Sequence, residues 1–215
     1  FLRFNGLGTQ IQIQEEWADY IEQNYEIIQG WVELNLIQYL QRRNPSVPGI
    51  VDKLYPPRER KLEKVKKYWK MIAAIRPIHD IYGGILLDGK NISMDHFVPW
   101  SYVAHDELWN LTPTTRNINS SKSNNLPDWN SYFPMLCKME YLSYELIWEY
   151  PEVHTVFEKC AREHLNNSEI RHKLYQNGLS EREFSGRLET VILPVYQSAK
   201  KSGFSTWHLR INHHV

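Results

Sequence analysis

From Gly83 to Leu126 the chain drops the three- and four-residue apolar spacing that organises it on either side, and that break limits the fold more than any other feature. Upstream, Trp17, Tyr20, Ile21 and then Ile27, Ile28, Trp31, Val32 recur at the steps of a half-buried helix. Breaks at 44–49 (Asn-Pro-Ser-Val-Pro-Gly) and at Pro56-Pro57 precede a second stripe of Leu62, Val65, Trp69 and Ile72. Downstream, Leu142, Leu146, Ile147 and Val153, Val156, Phe157, Cys160 keep helical spacing. Ser180 followed by Glu183 makes a capping box ahead of Leu188, Val191 and Ile192. In the middle, 84–87 and 92–94 flank Asp88-Gly89, a pair that favours a tight hairpin turn. An irregular stretch from Pro99 to Glu107 and the short apolar run 108–111 follow. Thr114 can then cap a helix reaching about Ser123, where Asn124 to Pro127 stops it. The expected fold class is therefore α+β, mostly α. A small core over 78–133, with strands near 92–97 and 108–112 and then a helix, lies between helical segments 1–77 and 134–215.

Composition narrows the function classes. The chain has 215 residues, 42% of them hydrophobic, with eight Trp and thirteen Tyr, which suits a packed core and argues against disorder. No run approaches the eighteen apolar residues of a membrane span, so no membrane partner is expected. Cys137 and Cys160 stand at no metal-binding spacing, which excludes a disulfide scaffold and points to a reducing, cytoplasmic setting. The sequence opens on Phe1-Leu2-Arg3-Phe4 rather than Met, and an upstream domain or partner protein is expected. Lys plus Arg equals Asp plus Glu at 25 each, so nucleic-acid binding would need locally concentrated charge. Such a concentration exists over 58–76, where Arg58, Arg60, Lys61, Lys64, Lys66, Lys67, Lys70 and Arg76 face only Glu59 and Glu63. Two readings stay open for this basic helix. It is a solvated face, or Arg60, Lys64 and Lys67 share one side and track a phosphate strand.

The chemistry concentrates in three short runs: 94–100 (Met-Asp-His-Phe-Val-Pro-Trp), 108–111 (Leu-Trp-Asn-Leu) and 119–124 (Asn-Ser-Ser-Lys-Ser-Asn). His96 to Asn110 is fourteen positions and Asn110 to Asn119 is nine. A lone Asp-His pair means little, and Asn119 among Asn117, Ser120 and Ser121 could be turn chemistry alone. The spacing of the set carries the signal. In it the chain resembles the HNH endonuclease family, which has an Asp-His pair ending a strand, an Asn-Leu about fourteen residues later and a helical Asn nine further on. Pro99 and the Ser-Ser-Lys-Ser-Asn tail fit the same pattern, and the resemblance spans roughly fifty residues.

The resemblance implies a ββα-metal core that cleaves a phosphodiester backbone with Mg²⁺ or Mn²⁺. Physical chemistry agrees with these roles. A neutral imidazole can take a proton from water near pH 7, which suits His96 as general base. Asp95 and Asn119 offer hard oxygen ligands for the metal. The resemblance makes Asn110 structural, tying the long loop so that His96 faces the phosphate. Lys122 and Arg116 are candidate phosphate contacts, and Asn117 replaces Asn119 if the helix register is off by two. Many members also hold a structural zinc through two Cys pairs. Those positions are His79 and Tyr82, then Thr115 and Ile118, so no zinc is expected. A core of this size needs a staple, and the helical flanks are expected to replace it. The implied substrate is DNA, in restriction, phage defence or mobile elements. Cleavage of RNA and a degenerate module that binds without cutting are the alternatives; the oligomeric state stays open.

Overall fold

In the computed structural model, residues 2–5, 8–11, 13–43, 50–55 and 62–209 are described. Backbone contacts divide the chain into two units, residues 1–45 and 46–215. The first unit holds an antiparallel hairpin of β1 (Leu2–Asn5) and β2 (Gly8–Ile11), with Leu2 opposite Ile11. Two helices follow, α1 (Glu15–Gln23) and α2 (Tyr25–Arg43). The helical spacing of Trp17, Tyr20 and Trp31 forms helices as expected, but the half-buried face does not follow. Neither helix buries a residue, and Trp17 and Trp31 are 59% and 66% exposed. Periodicity sets the helix; burial needs a covering surface. The apolar residues of α2 also surround its axis, as Ile27, Val32, Leu40 and Ile37 do, so no single stripe can be covered by one neighbour.

The second unit opens with α3 (Ile50–Leu54) and α4 (Glu63–Ile75). Four large helices close it: α7 (Trp129–Glu149), α8 (Pro151–His164), α9 (Ser168–Tyr175) and α10 (Glu181–Lys201). The stripe foreseen on α4 is buried at Val65, Trp69 and Ile72, joined by Tyr68, and α4 packs against α8. Tyr68 touches the Phe157 ring on α8, and α7 packs against both α8 and α10. The expected capping box starts α10, with Ser180 and Glu183 exchanging hydrogen bonds.

Between these helices run β3 (Ile78–His79), β4 (Leu86–Leu87), β5 (Ile92–His96), α5 (Trp100–Val103), a 3₁₀ turn (Leu108–Asn110), β6 (Leu111–Thr115), α6 (Arg116–Lys122) and β7 (Leu126–Pro127). β5 and β6 pair antiparallel, Ile92 opposite Thr115 and His96 opposite Leu111. The strand β8 (Thr206–Trp207) runs parallel to β7, with Leu126 opposite Thr206. Phe97, just after β5, meets the rings of Trp129, Phe133 and Tyr196 from α7 and α10, so the helical flank packs on the mixed core.

Three local expectations change. The hairpin across Asp88-Gly89 does not form, because β4 pairs with β3 and β5 with β6. The turn itself exists, with Gly89 at a φ of 69°. The Asp88 carboxylate, however, accepts from Lys90 N and Asn91 N and turns the chain away from its own strand. The second strand begins at Leu111, after the 3₁₀ turn, rather than at Leu108. Thr115 caps α6 in place of Thr114, accepting from Ile118 N, while Thr114 lies buried within β6. Among the described residues no helix is long and apolar enough to cross a membrane.

Candidate functional site

The β5–β6 ladder carries Asp95 and His96 to its end, beside α6. Asp95 is nearly buried. Its Oδ2 accepts from the Tyr82 hydroxyl at 2.5 Å and its Oδ1 from Lys122 Nζ at 3.1 Å. Burial, and then the neighbouring Asp95 charge, push the Tyr82 phenol well above its ordinary value, so it stays a neutral donor. Tyr82 is in turn set by Asp80, whose carboxylate accepts from the backbone N–H groups of Tyr82, Gly83 and Ile85.

Lys122 corrects the sequence reading. Expected at a phosphate, it is 0% exposed and donates instead to Asp95 and to the His96 carbonyl, the latter at 2.7 Å. Its side chain runs toward β5 while Ser120 and Ser121 on the same turn are exposed, so its ammonium is the counter-charge of a buried carboxylate.

His96 Nε2 lies 2.7 Å from Asp106 Oδ1. A carboxylate can only accept, so Nε2 carries a proton, and in the neutral ring Nδ1 keeps the lone pair. Asp106 escaped the sequence reading because it lies in the irregular stretch after Pro99, where no periodicity or motif spacing marks a residue. The one available signal was chemical, since a histidine acting as a base needs an acceptor that fixes its tautomer. Asn110, fully buried, spans this stretch from the other side: its Oδ1 accepts from Val98 N at 2.7 Å and its Nδ2 donates to Val98 O at 2.9 Å.

Asn119, half-buried on α6, donates from Nδ2 to Ser93 Oγ and Met94 O. Its Oδ1 accepts no hydrogen bond from the described residues. Asn117, two positions earlier, is exposed. Asp95, His96 and Asn119 line one polar pocket of about 170 Å³, together with Met94, Pro99, Trp100, Ser123 and Asn124. Ser123 holds a left-handed φ of 49° where the chain leaves α6, in a turn closed from Asn125 N to Lys122 O. The pocket thus gathers an imidazole, a carboxylate and a carboxamide oxygen, the donor set of hydrolytic phosphate chemistry. Among the described residues no group of three His, Cys, Asp or Glu stands close enough to hold a metal.

The proposed phosphate-tracking face is less uniform than its sequence. Lys64 pairs with Glu163, Lys66 with Glu63 and Arg76 with Glu149, so part of the local positive charge is met by neighbouring acids. Lys67 and Arg116 are exposed, and Arg60 lies outside the described residues. The four positions of the family's zinc pairs hold other work. His79 is exposed on β3, Tyr82 meets Tyr132 and Trp207, Thr115 caps α6, and Ile118 sits in the core.

No curated protein and no solved structure matches this chain. The comparison that does match covers the site: residues 80–128, from the Asp80 turn through β7 and including Asp95, His96, Asp106, Asn110 and Asn119, fit the family model described as HNH endonuclease.

Proposed function

We propose that the chain is an endonuclease that hydrolyses DNA phosphodiester bonds with a divalent metal ion, Mg²⁺ or Mn²⁺. The observation that carries this reading is the convergence of His96, Asp95 and Asn119 on one pocket, with the far nitrogen of His96 already committed to Asp106. In this reading the Nδ1 lone pair takes the proton of the attacking water. Asp95 and Asn119 would hold the ion. Asp95 Oδ2 accepts from the Tyr82 hydroxyl and both Asp95 oxygens lie 3.1 Å from Lys122 Nζ, so an ion would share this carboxylate with them, whereas the Asn119 Oδ1 is unspent. When bound, such an ion supplies positive charge to the phosphoryl oxygens. Exposed Arg116 and Lys67 are the candidate backbone contacts. The segment 78–133 is the functional core in this scheme, with 1–77 and 134–215 as helical flanks. A role in restriction or phage defence within the cytoplasm fits this activity by analogy.

A second reading has its own observation. Both Asp95 oxygens are engaged, and the Lys122 ammonium beside them opposes a second positive charge. That arrangement favours a module that binds nucleic acid without cutting. Incubating supercoiled plasmid and a structured RNA with the protein, each with Mg²⁺ and with EDTA, separates the readings. Metal-dependent nicking of the plasmid supports the proposal. Binding without nicking supports the second reading, and cleavage confined to RNA reassigns the substrate.

A further inference from the structure

The irregular stretch that supplies Asp106 is fastened from a helix outside the matched segment. His164, the last residue of α8, is 3% exposed, and its Nδ1 lies 2.7 Å from the backbone carbonyl of Asp106. A carbonyl only accepts, so Nδ1 of His164 donates. Two residues on, Asn166 presents its backbone N and its Nδ2 to Glu107 Oε1, at 3.3 and 3.1 Å. The end of α8 and the connection to α9 therefore grip residues 106 and 107 in succession. These residues belong to no strand or α-helix, and the chain reaches them from Ala104, which holds a left-handed φ of 60°. Asp106 can hold the His96 ring in one orientation only if its own backbone is fixed, and the buried His164 donor fixes it.

We propose that His164 is a positioning residue for His96, acting through Asp106. The proposal rests on the reading of His96 as the base, and it places part of the site's alignment on the C-terminal helical segment rather than on residues 80–128. Supporting groups of this kind set tautomer and ring direction for histidines whose other nitrogen does the chemistry. A displacement of about 1 Å at a reacting group can cost on the order of a hundredfold in rate.

The test compares His164→Leu, which removes the donor, with His164→Asn, which returns an amide N–H at the Nδ1 branch position. His164→Leu is expected to lower kcat by about ten- to a hundredfold with KM unchanged, and His164→Asn to recover it to within about threefold of wild type. Independently of cleavage, ¹⁵N-histidine spectra of the metal-free protein report which His96 nitrogen is protonated. A single Nε2–H tautomer is expected in wild type and His164→Asn, and a tautomer mixture in His164→Leu. Wild-type kcat and a single tautomer in His164→Leu overturn the proposal. Should His164→Leu not fold, His164→Met, which likewise lacks a donor, replaces it. Wild-type kcat and a single tautomer in His164→Met overturn the proposal equally. Cleavage that survives His96→Ala would remove the base from the account, and the tautomer spectra would still decide the link from His164 to the ring.

Discussion

Replacing Lys122 by Met separates the structure's account of this residue from the surface role its position in the motif suggests. The ammonium is fully buried against a carboxylate that is itself 3% exposed. Met fills similar volume but leaves Asp95 with the Tyr82 hydroxyl as its only side-chain partner among the described residues and removes the donor to the His96 carbonyl. Removing one partner of a buried ion pair costs about 3–5 kcal/mol, because the remaining charge loses its compensation. For a chain of this length each kcal/mol moves Tm by about 2–4 °C, so a fall of roughly 10 °C is expected. Adding Asp95→Asn removes the stranded charge, and the double variant should regain more than half of the loss, as expected for contacting groups. The assay is thermal and urea unfolding of the two single variants and the double variant, beside DNA affinity across a salt series. A phosphate contact would behave oppositely, with unchanged Tm and a salt slope reduced by about 0.9. A cost below about 1 kcal/mol for Lys122→Met, or a double variant no more stable than the single, would refute a buried counter-charge at this position.

Asn110→Ala should destabilise by about 2–5 kcal/mol, since it strands the buried N–H and C=O of Val98; a unchanged urea midpoint would show that water replaces the amide. Glu140, 1% exposed on α7, has its carboxyl held well above the usual range by burial. A raised folded value gives stability that is complete below the unfolded value of about 4.3 and lost as pH rises toward the folded one, at about 1.4 kcal/mol per unit. Glu140→Gln should therefore gain on wild type as pH climbs from about 4, and a pH-independent difference between the two proteins would contradict this. Ser123→Gly, relieving a left-handed φ on an exposed residue, should raise stability by about 1 kcal/mol; a lower Tm would show that the Ser side chain stabilises this turn.

Legibility followed the kind of signal each residue carries. Val65, Trp69 and Ile72 were readable because three- and four-residue spacing and burial on α4 arise from the same helix geometry. Asp95, His96, Asn110 and Asn119 were readable because their spacing is a local fact of the chain, and the fold brings three of them to one pocket. Lys122 could not be judged that way. One turn beyond Asn119, it could face the pocket or the strand, and the packing of α6 on β5 decides. Asp106 and His164 are 58 positions apart and meet only through tertiary structure, so no local pattern connects them. The hairpin at Asp88 failed for a related reason: turn chemistry was read correctly, but strand partners are chosen by the rest of the sheet. Trp17 and Trp31 show the limit of amphipathic spacing, which specifies a helix without specifying what covers it.

The most direct test of the central claim is cleavage of supercoiled plasmid in Mg²⁺ by wild type and by His96→Ala, with DNA binding measured on the same samples. A general base acts on the transition state, so removing it should lower cleavage by about two to four orders of magnitude and leave binding close to wild type. Cleavage by His96→Ala within about threefold of wild type would contradict the account and move the chemistry away from this pocket.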